Sequence, residues 1–253
     1  MSKIPQITLA FWVMKICATT LGETAGDLLS QTMNVGYAGS SVILIGMFAA
    51  TLVAQLLAKR YHPLLYWAVI LTTSTAGTTM SDYMDRTLGL GYAKGAMILL
   101  TILLCIFAYW RLTAGSLSVA NIQSFKVEML YWVAILFSNT LGTALGDFLA
   151  DDSGLGFAGG AILIGSLLAV VTLCFYVTKI SRVLLFWLAF VLTRPFGATL
   201  GDVLTKSGDQ GGLNFGTKGS SAVLAAILTA FVVSATIENN KRTSQAAAGD
   251  AVG

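Results

Sequence analysis

The sequence predicts an all-α integral membrane protein: eight transmembrane helices in four parallel-related two-helix repeats, with both termini in the cytoplasm. Three observations predict it. First, 56% of the 253 residues are hydrophobic and only 11% are charged, against about 25% charge in a soluble domain. Second, an aromatic–Trp pair recurs at Phe11-Trp12, Tyr66-Trp67, Tyr131-Trp132 and Phe186-Trp187, and each Trp lies 15 residues before an Asp: Asp27, Asp82, Asp147 or Asp202. Recurrence at such a period marks one supersecondary unit used several times. Third, each Asp is followed by a Gly-rich turn and a second apolar run, at about 40–58, 96–110, 158–178 and 219–237. A bilayer core takes about 20 helical residues, so each unit reads as a hairpin of two spans.

The repeats cover about 8–60, 63–114, 127–180 and 183–238 of a single transmembrane domain, and ten extra residues at 115–124 separate two halves. Lys3, Lys59, Arg60, Arg111, Lys126, Lys179, Arg182, Lys241 and Arg242 fall on one side, and Arg86, Lys94, Lys206 and Lys218 on the other. Nine against four places both ends in the cytoplasm. An even number of spans per repeat makes all four repeats point the same way, related by an axis along the membrane normal. No small-residue cleavage site follows Met1–Pro5, so no removable signal peptide is expected. The Ala/Ser/Gly-rich residues 239–253 read as a disordered cytoplasmic tail.

Several classes of function are excluded by what is missing. Cys17, Cys105 and Cys174 lie in three separate apolar runs, and His62 is the sole histidine. A zinc, copper or haem site built from His and Cys is therefore not expected, nor is a disulfide framework. There is no P-loop and no nucleophile with a base at readable spacing, so the chain is not read as an enzyme. No cofactor and no nucleic-acid partner is expected. The expected partners are the bilayer and a transported ion or small solute, with room left for a homo-oligomer.

The chemistry sits in the first span of each repeat. The motif reads Thr19-Thr20-Leu21-Gly22-Glu23-Thr24-Ala25-Gly26-Asp27 in repeat one, with copies ending at Asp82, Asp147 and Asp202. Residues four apart share a helix face. Counting back from each Asp gives the stripes Thr19-Glu23-Asp27, Ser74-Thr78-Asp82, Asn139-Thr143-Asp147 and Arg194-Ala198-Asp202. Beside them run the small pairs Gly22/Gly26, Gly77/Ser81, Gly142/Gly146 and Gly197/Gly201, which let helix backbones approach closely. Acid in an apolar span is costly and usually faces a bundle interior. Four such helices would surround a cavity with carboxylates, hydroxyls and an amide, the donor set of a hard cation such as Mn²⁺, Mg²⁺ or Ca²⁺. The bland alternative is that the Asp residues only cap the outer turns, since 15 residues past the Trp is about 22 Å of helix.

The copies differ, and the differences are informative. Only repeat one carries Glu23, and only repeat four carries Arg194 and Pro195. Pro195 is expected to bend or break its helix, as a transport site or as a packing kink. Lys15 and Arg194 are the basic residues well inside the spans, placed to compensate carboxylate charge. Arg194 is positioned to meet Glu23 or Asp202. Lys15, three residues past Trp12, can instead snorkel to the interface. The aromatic–Trp pairs read most simply as an interfacial belt, and Asp85, Asp151, Asp152 and Arg86 as charges of the outer mouth.

Four tandem two-span repeats, each with Trp12, Trp67, Trp132 or Trp187 near its start and with the Gly and Asp positions above, resemble a bacterial family of membrane proteins defined by a four-fold repeat of unknown function and catalogued as uncharacterised membrane-anchored proteins. The resemblance covers about residues 10–237 and implies a multi-pass protein of the bacterial inner membrane. It brings no activity. From the residues, the expectation is a transporter for a cation, a divalent metal exchanged for protons. Glu23, Asp27, Asp82, Asp147 and Asp202 serve as metal ligands or proton carriers, Thr19, Thr78, Asn139 and Thr143 add neutral donors, and Lys15 and Arg194 set the charge. The alternatives are a carrier of a small organic solute that uses Arg194 and aromatic residues, and a non-transporting membrane scaffold.

Overall fold

The computed structural model of the protein describes residues 3–122 and 124–250, and over them its only regular structure is helix. Its helices are α1 (Leu9–Asp27), α2 (Gly36–Leu57), α3 (Pro63–Asp82), α4 (Tyr92–Ala114), α5 (Phe125–Asp147), α6 (Gly156–Val177), α7 (Arg182–Thr205) and α8 (Gly216–Asp250). The starts follow local chemistry. The Thr8 hydroxyl accepts from Phe11 N, the Ser124 hydroxyl accepts from Val127 N, and Pro63 opens α3, where its missing N–H costs nothing. Between the helices of each repeat the chain turns through two left-handed residues spaced by one: Asn34 and Gly36, Gly89 and Gly91, Gly154 and Gly156, Asn214 and Gly216. Only Gly and Asn enter that region cheaply.

α1, α3, α5 and α7 form a closed inner ring, each packed on the next and α7 back on α1. The second helix of a repeat does not lie along its own first helix. It packs on the first helix of the following repeat: α2 on α3, α4 on α5, α6 on α7, and α8 on α1. The hairpins expected from sequence therefore meet mainly around their turns, and the chain closes as a ring in which repeat four covers repeat one.

The glycine stripes set this geometry. A Cβ on Gly22 would lie 2.4 Å from Ser74 Oγ, one on Gly77 3.0 Å from the Asn139 carbonyl carbon, one on Gly142 2.3 Å from Arg194 Cγ, and one on Gly197 2.4 Å from Thr19 Oγ1. In every case the motif glycine of one repeat receives the first polar residue of the next repeat's stripe. Small residues are thus what lets the polar stripes face inward at close helix separation.

Among the described residues, six helices are long and apolar enough to cross a membrane: α2, α4, α5, α6, α7 and α8. Lys15, Glu23 and Asp27 weigh against α1, and the Thr/Ser-rich second half of α3 against that helix. Both belong to the inner ring, while α2, α4, α6 and α8 turn residues such as Val42, Met97, Ile162 and Val223 outward. Of the bend or break expected at Pro195, α7 shows no break: it is one continuous helix through the proline, whose ring lies against α5, where a Cβ on Gly142 would come 3.0 Å from its Cδ. Over 239–250 the segment read as a disordered tail continues α8; 251–253 lie outside the described residues.

Candidate functional site

The site lies along the axis of the inner ring and is layered by helix register. At its centre stands an ion pair between α7 and α1: Arg194 Nη2 is 2.9 Å from Glu23 Oε2, and neither side chain reaches solvent. The same Nη2 donates to Thr78 Oγ1 at 2.5 Å and Thr143 Oγ1 at 2.6 Å. All four repeats thus contribute to one buried node, which joins Glu23, Thr78, Thr143 and Arg194. The fourth residue at the level of Glu23, Thr78 and Thr143 is Ala198, which has no polar group to offer. Arg194, one turn earlier on α7, supplies the cation.

One turn further in, the Lys15 Nζ lies 3.4 Å from Asn139 Oδ1 and 4.1 Å from the centre of the Phe190 ring. Asn139 Nδ2 donates to Thr73 Oγ1 at 2.9 Å, and the Thr19 hydroxyl donates to the Thr193 carbonyl at 3.1 Å. Lys15 is fully buried, so it does not snorkel, because its stem points to the ring axis. Among the described residues it pairs with no carboxylate.

On the other side of the central pair lies the ring of Asp residues, all buried. They are bridged in neighbouring pairs. Arg86 Nε is 2.9 Å from Asp82 Oδ1, and its Nη2 is 3.4 Å from Asp147 Oδ2. Lys206 Nζ is 3.0 Å from Asp27 Oδ2 and 3.4 Å from Asp202 Oδ1. Gln31 also donates to Asp27, at 2.6 Å. In repeats one to three the Asp ends a regular helical stretch and a π-helical turn follows at once, Leu28–Thr32, Tyr83–Thr87 and Phe148–Asp152, whereas α7 runs past Asp202 to Thr205. Such widened turns are common at functional sites.

Of the five carboxylates expected as metal ligands, Glu23, Asp147 and Asp202 are brought together, with one oxygen from each lying within 4.8 Å of the other two. Asp27 and Asp82 do not complete that trio. They face Lys206 and Arg86 instead. Asp85 is not a mouth charge, for it is buried against Gly95 and receives the Ser81 hydroxyl. Asp151 is bonded by the Tyr92 hydroxyl.

At the opposite end of the ring the aromatic–Trp pairs close the axis. Tyr66, Trp67, Tyr131, Trp132 and Trp187 are buried, and the Tyr66 and Tyr131 hydroxyls share a hydrogen bond of 2.6 Å. This corrects the interfacial belt: the pairs sit on inner-ring helices, so most of their rings pack inward on one another. The bridging roles of Arg86 and Lys206 are new. Their signal was present in register, since the position four past each Asp is Gln31, Arg86, Asp151 and Lys206, a cation in alternate repeats.

Residues 10–61, 65–116, 130–181 and 185–238 match the family model described as Repeat of Unknown Function (DUF347). The chain belongs to the DUF347 family. No curated protein and no solved structure matches it. In this DUF347 chain the repeats share their Trp, Gly and Asp positions and differ where the axis is lined, at Thr19/Ser74/Asn139/Arg194 and Glu23/Thr78/Thr143/Ala198. The shared positions build the ring of this DUF347 protein, and the differing ones make a single off-symmetric node inside it.

Proposed function

We propose that the protein is a secondary transporter for a divalent metal cation of the Mn²⁺ type, exchanged for protons through the intramembrane carboxylates. The observation that carries this reading is the Glu23–Asp147–Asp202 trio, with oxygens within 4.8 Å of one another in the middle of an all-helical bundle. Hard cations bind oxygen at about 2.0–2.6 Å, so ligand oxygens around one ion stand up to about 5 Å apart. Charge supports the same reading. Five buried carboxylates line the axis, and the three cations that touch them are Arg194, Arg86 and Lys206. Buried charge without compensation is costly, and a cation or protons would supply the balance.

In this reading all eight helices span the bacterial inner membrane. α1 and α3 are tolerated there because the other helices shield them, and the Lys and Arg distribution puts both termini in the cytoplasm. The aromatic layer closes the inner end, and the Arg86 and Lys206 bridges hold Asp147 and Asp202 of the carboxylate trio at the outer mouth.

Reconstituted liposomes test it. Mn²⁺ uptake driven by an outward proton gradient should saturate in wild type and fall at least tenfold in Asp147→Asn and Asp202→Asn at equal insertion. Wild-type vesicles no more permeable to Mn²⁺, Mg²⁺ or Ca²⁺ than empty ones would sink the proposal.

A further inference from the structure

The carboxylate trio leaves one part of the axis unused. Arg194 and Lys15 are both fully buried. Lys15 Nζ lies over Phe190, one helical turn before Arg194 on α7, and against Asn139, one turn before Thr143, which Arg194 Nη2 contacts. One turn is about 6 Å of helix. Two cations therefore follow each other along the axis, and only the outer one has a carboxylate.

Their donors are not filled. Arg194 uses Nη2 for Glu23, Thr78 and Thr143, while its Nε and Nη1 are buried with no hydrogen-bond partner. Ser74 Oγ, at the Arg194 level of the stripe across the ring, is also buried without a partner. Lys15 has a single long contact to Asn139 for its three N–H groups. A buried charged donor without an acceptor is expensive, and here several gather in one place with a net positive charge.

We infer that the space between Lys15 and Arg194 binds a small monovalent anion of the halide class, held by Lys15 Nζ, the free N–H groups of Arg194 and the Ser74 hydroxyl. A single monatomic ion can accept from both cations at once, since their levels on the helices differ by one turn. The helices around them pack closely through Gly22 and Gly142, which favours a compact ion over a carboxylate or phosphate. The charges also close. The axis carries five carboxylates and four basic side chains, so one divalent cation would leave an excess of one positive charge, and one halide beside it makes the axis neutral. In that last respect the inference deepens the carrier reading, in which the metal would travel or wait with a halide. The anion site itself stands on Lys15 and Arg194 whether or not metal is the cargo.

The test is ³⁶Cl⁻ binding to the purified full-length protein in detergent, with gluconate as the replacement anion and a chelator present so that no divalent ion contributes. One saturable halide per chain is expected, with bromide competing. Lys15→Met should lose it, and Ser74→Ala should weaken it several-fold. Asp147→Asn, outside the anion site, should keep it even where metal uptake is lost, which separates failure of this inference from failure of the carrier reading. Helical content by circular dichroism identifies a variant that has simply misfolded. Should Lys15→Met fail to fold, the wild-type and Ser74→Ala titrations decide. Absence of saturable binding to folded wild type, or unchanged binding in folded Lys15→Met, overturns the inference in favour of water filling the gap.

Discussion

Arg194 and Glu23 meet at 2.9 Å across the centre of the inner ring, with both side chains out of reach of solvent. Each is the sole residue of its charge at its level of the four stripes, so neither has a substitute. Breaking such a pair from one side leaves an uncompensated buried charge and costs about 3–5 kcal/mol, while replacing both partners by neutral groups of similar size costs far less. Arg194→Met and Glu23→Gln are each expected to lower the melting temperature in detergent strongly. The double variant should recover most of the loss. Thermal unfolding followed by tryptophan fluorescence checks this, and a double variant as unstable as the sum of the singles would show that the two charges are not compensating each other.

The glycine stripe makes a prediction of opposite signs. At Gly22 a methyl group would sit 2.4 Å from Ser74 Oγ, and at Gly142 it would sit 2.3 Å from Arg194 Cγ. Overpacking of this kind costs about 1–3 kcal/mol. Gly46, on α2, has nothing within 4 Å of a Cβ, and Ala there gains about 1 kcal/mol of helix propensity. Gly22→Ala and Gly142→Ala should therefore destabilise, and Gly46→Ala should be neutral or stabilising, in the same melting assay.

The Tyr66 and Tyr131 hydroxyls, 2.6 Å apart in the buried aromatic layer, behave as a unit. Removing one leaves the other without a partner at a cost of about 1–3 kcal/mol, whereas removing both can be nearly neutral. Tyr131→Phe should lower the melting point more than the Tyr66→Phe/Tyr131→Phe double variant does. If the aromatic layer also closes the inner end of the pathway, the single variant should raise passive Mn²⁺ leak in liposomes as well.

Much of this arrangement was legible in the sequence, and the rest was hidden for physical reasons. The fifteen-residue Trp-to-Asp spacing exposed the four repeats, and the contrast of Glu23 with Arg194 among otherwise neutral stripe positions pointed to their contact. The packing of α2 on α3 rather than on α1 left no such trace. In lipid an outer helix is apolar on every face, so periodicity does not say which neighbour it takes. The aromatic–Trp pairs carry the composition of an interfacial belt, and what buries them is the ring closure, a long-range property. Arg86 and Lys206 stood in register four residues past Asp82 and Asp202, but the second Asp of each bridge became visible only once α3 was seen beside α5 and α1 beside α7. Lys15 looked able to snorkel because its distance from Trp12 is short, and the burial of Trp67, Trp132 and Trp187 removes the interface it would have reached.

Lys206 bridges Asp27 and Asp202, and Arg86 bridges Asp82 and Asp147. On the proposed carrier reading each cation would therefore compete with a divalent ion for the carboxylates of the trio, Lys206 through Asp202 and Arg86 through Asp147. Lys206→Met removes one positive charge and frees Asp202 without touching a ligand. It is expected to raise divalent affinity, by about tenfold if the relief is about 1.4 kcal/mol. Asp202→Asn should lower affinity by a similar or larger factor. Calorimetric titration of Mn²⁺ into the purified protein, with Mg²⁺ and Ca²⁺ as competitors, compares the three. Tighter binding in Lys206→Met with weaker binding in Asp202→Asn is the pattern of a carboxylate site restrained by its own cation. Weaker binding in both would instead make Lys206 a support of the ring, and the bridge would then be structural.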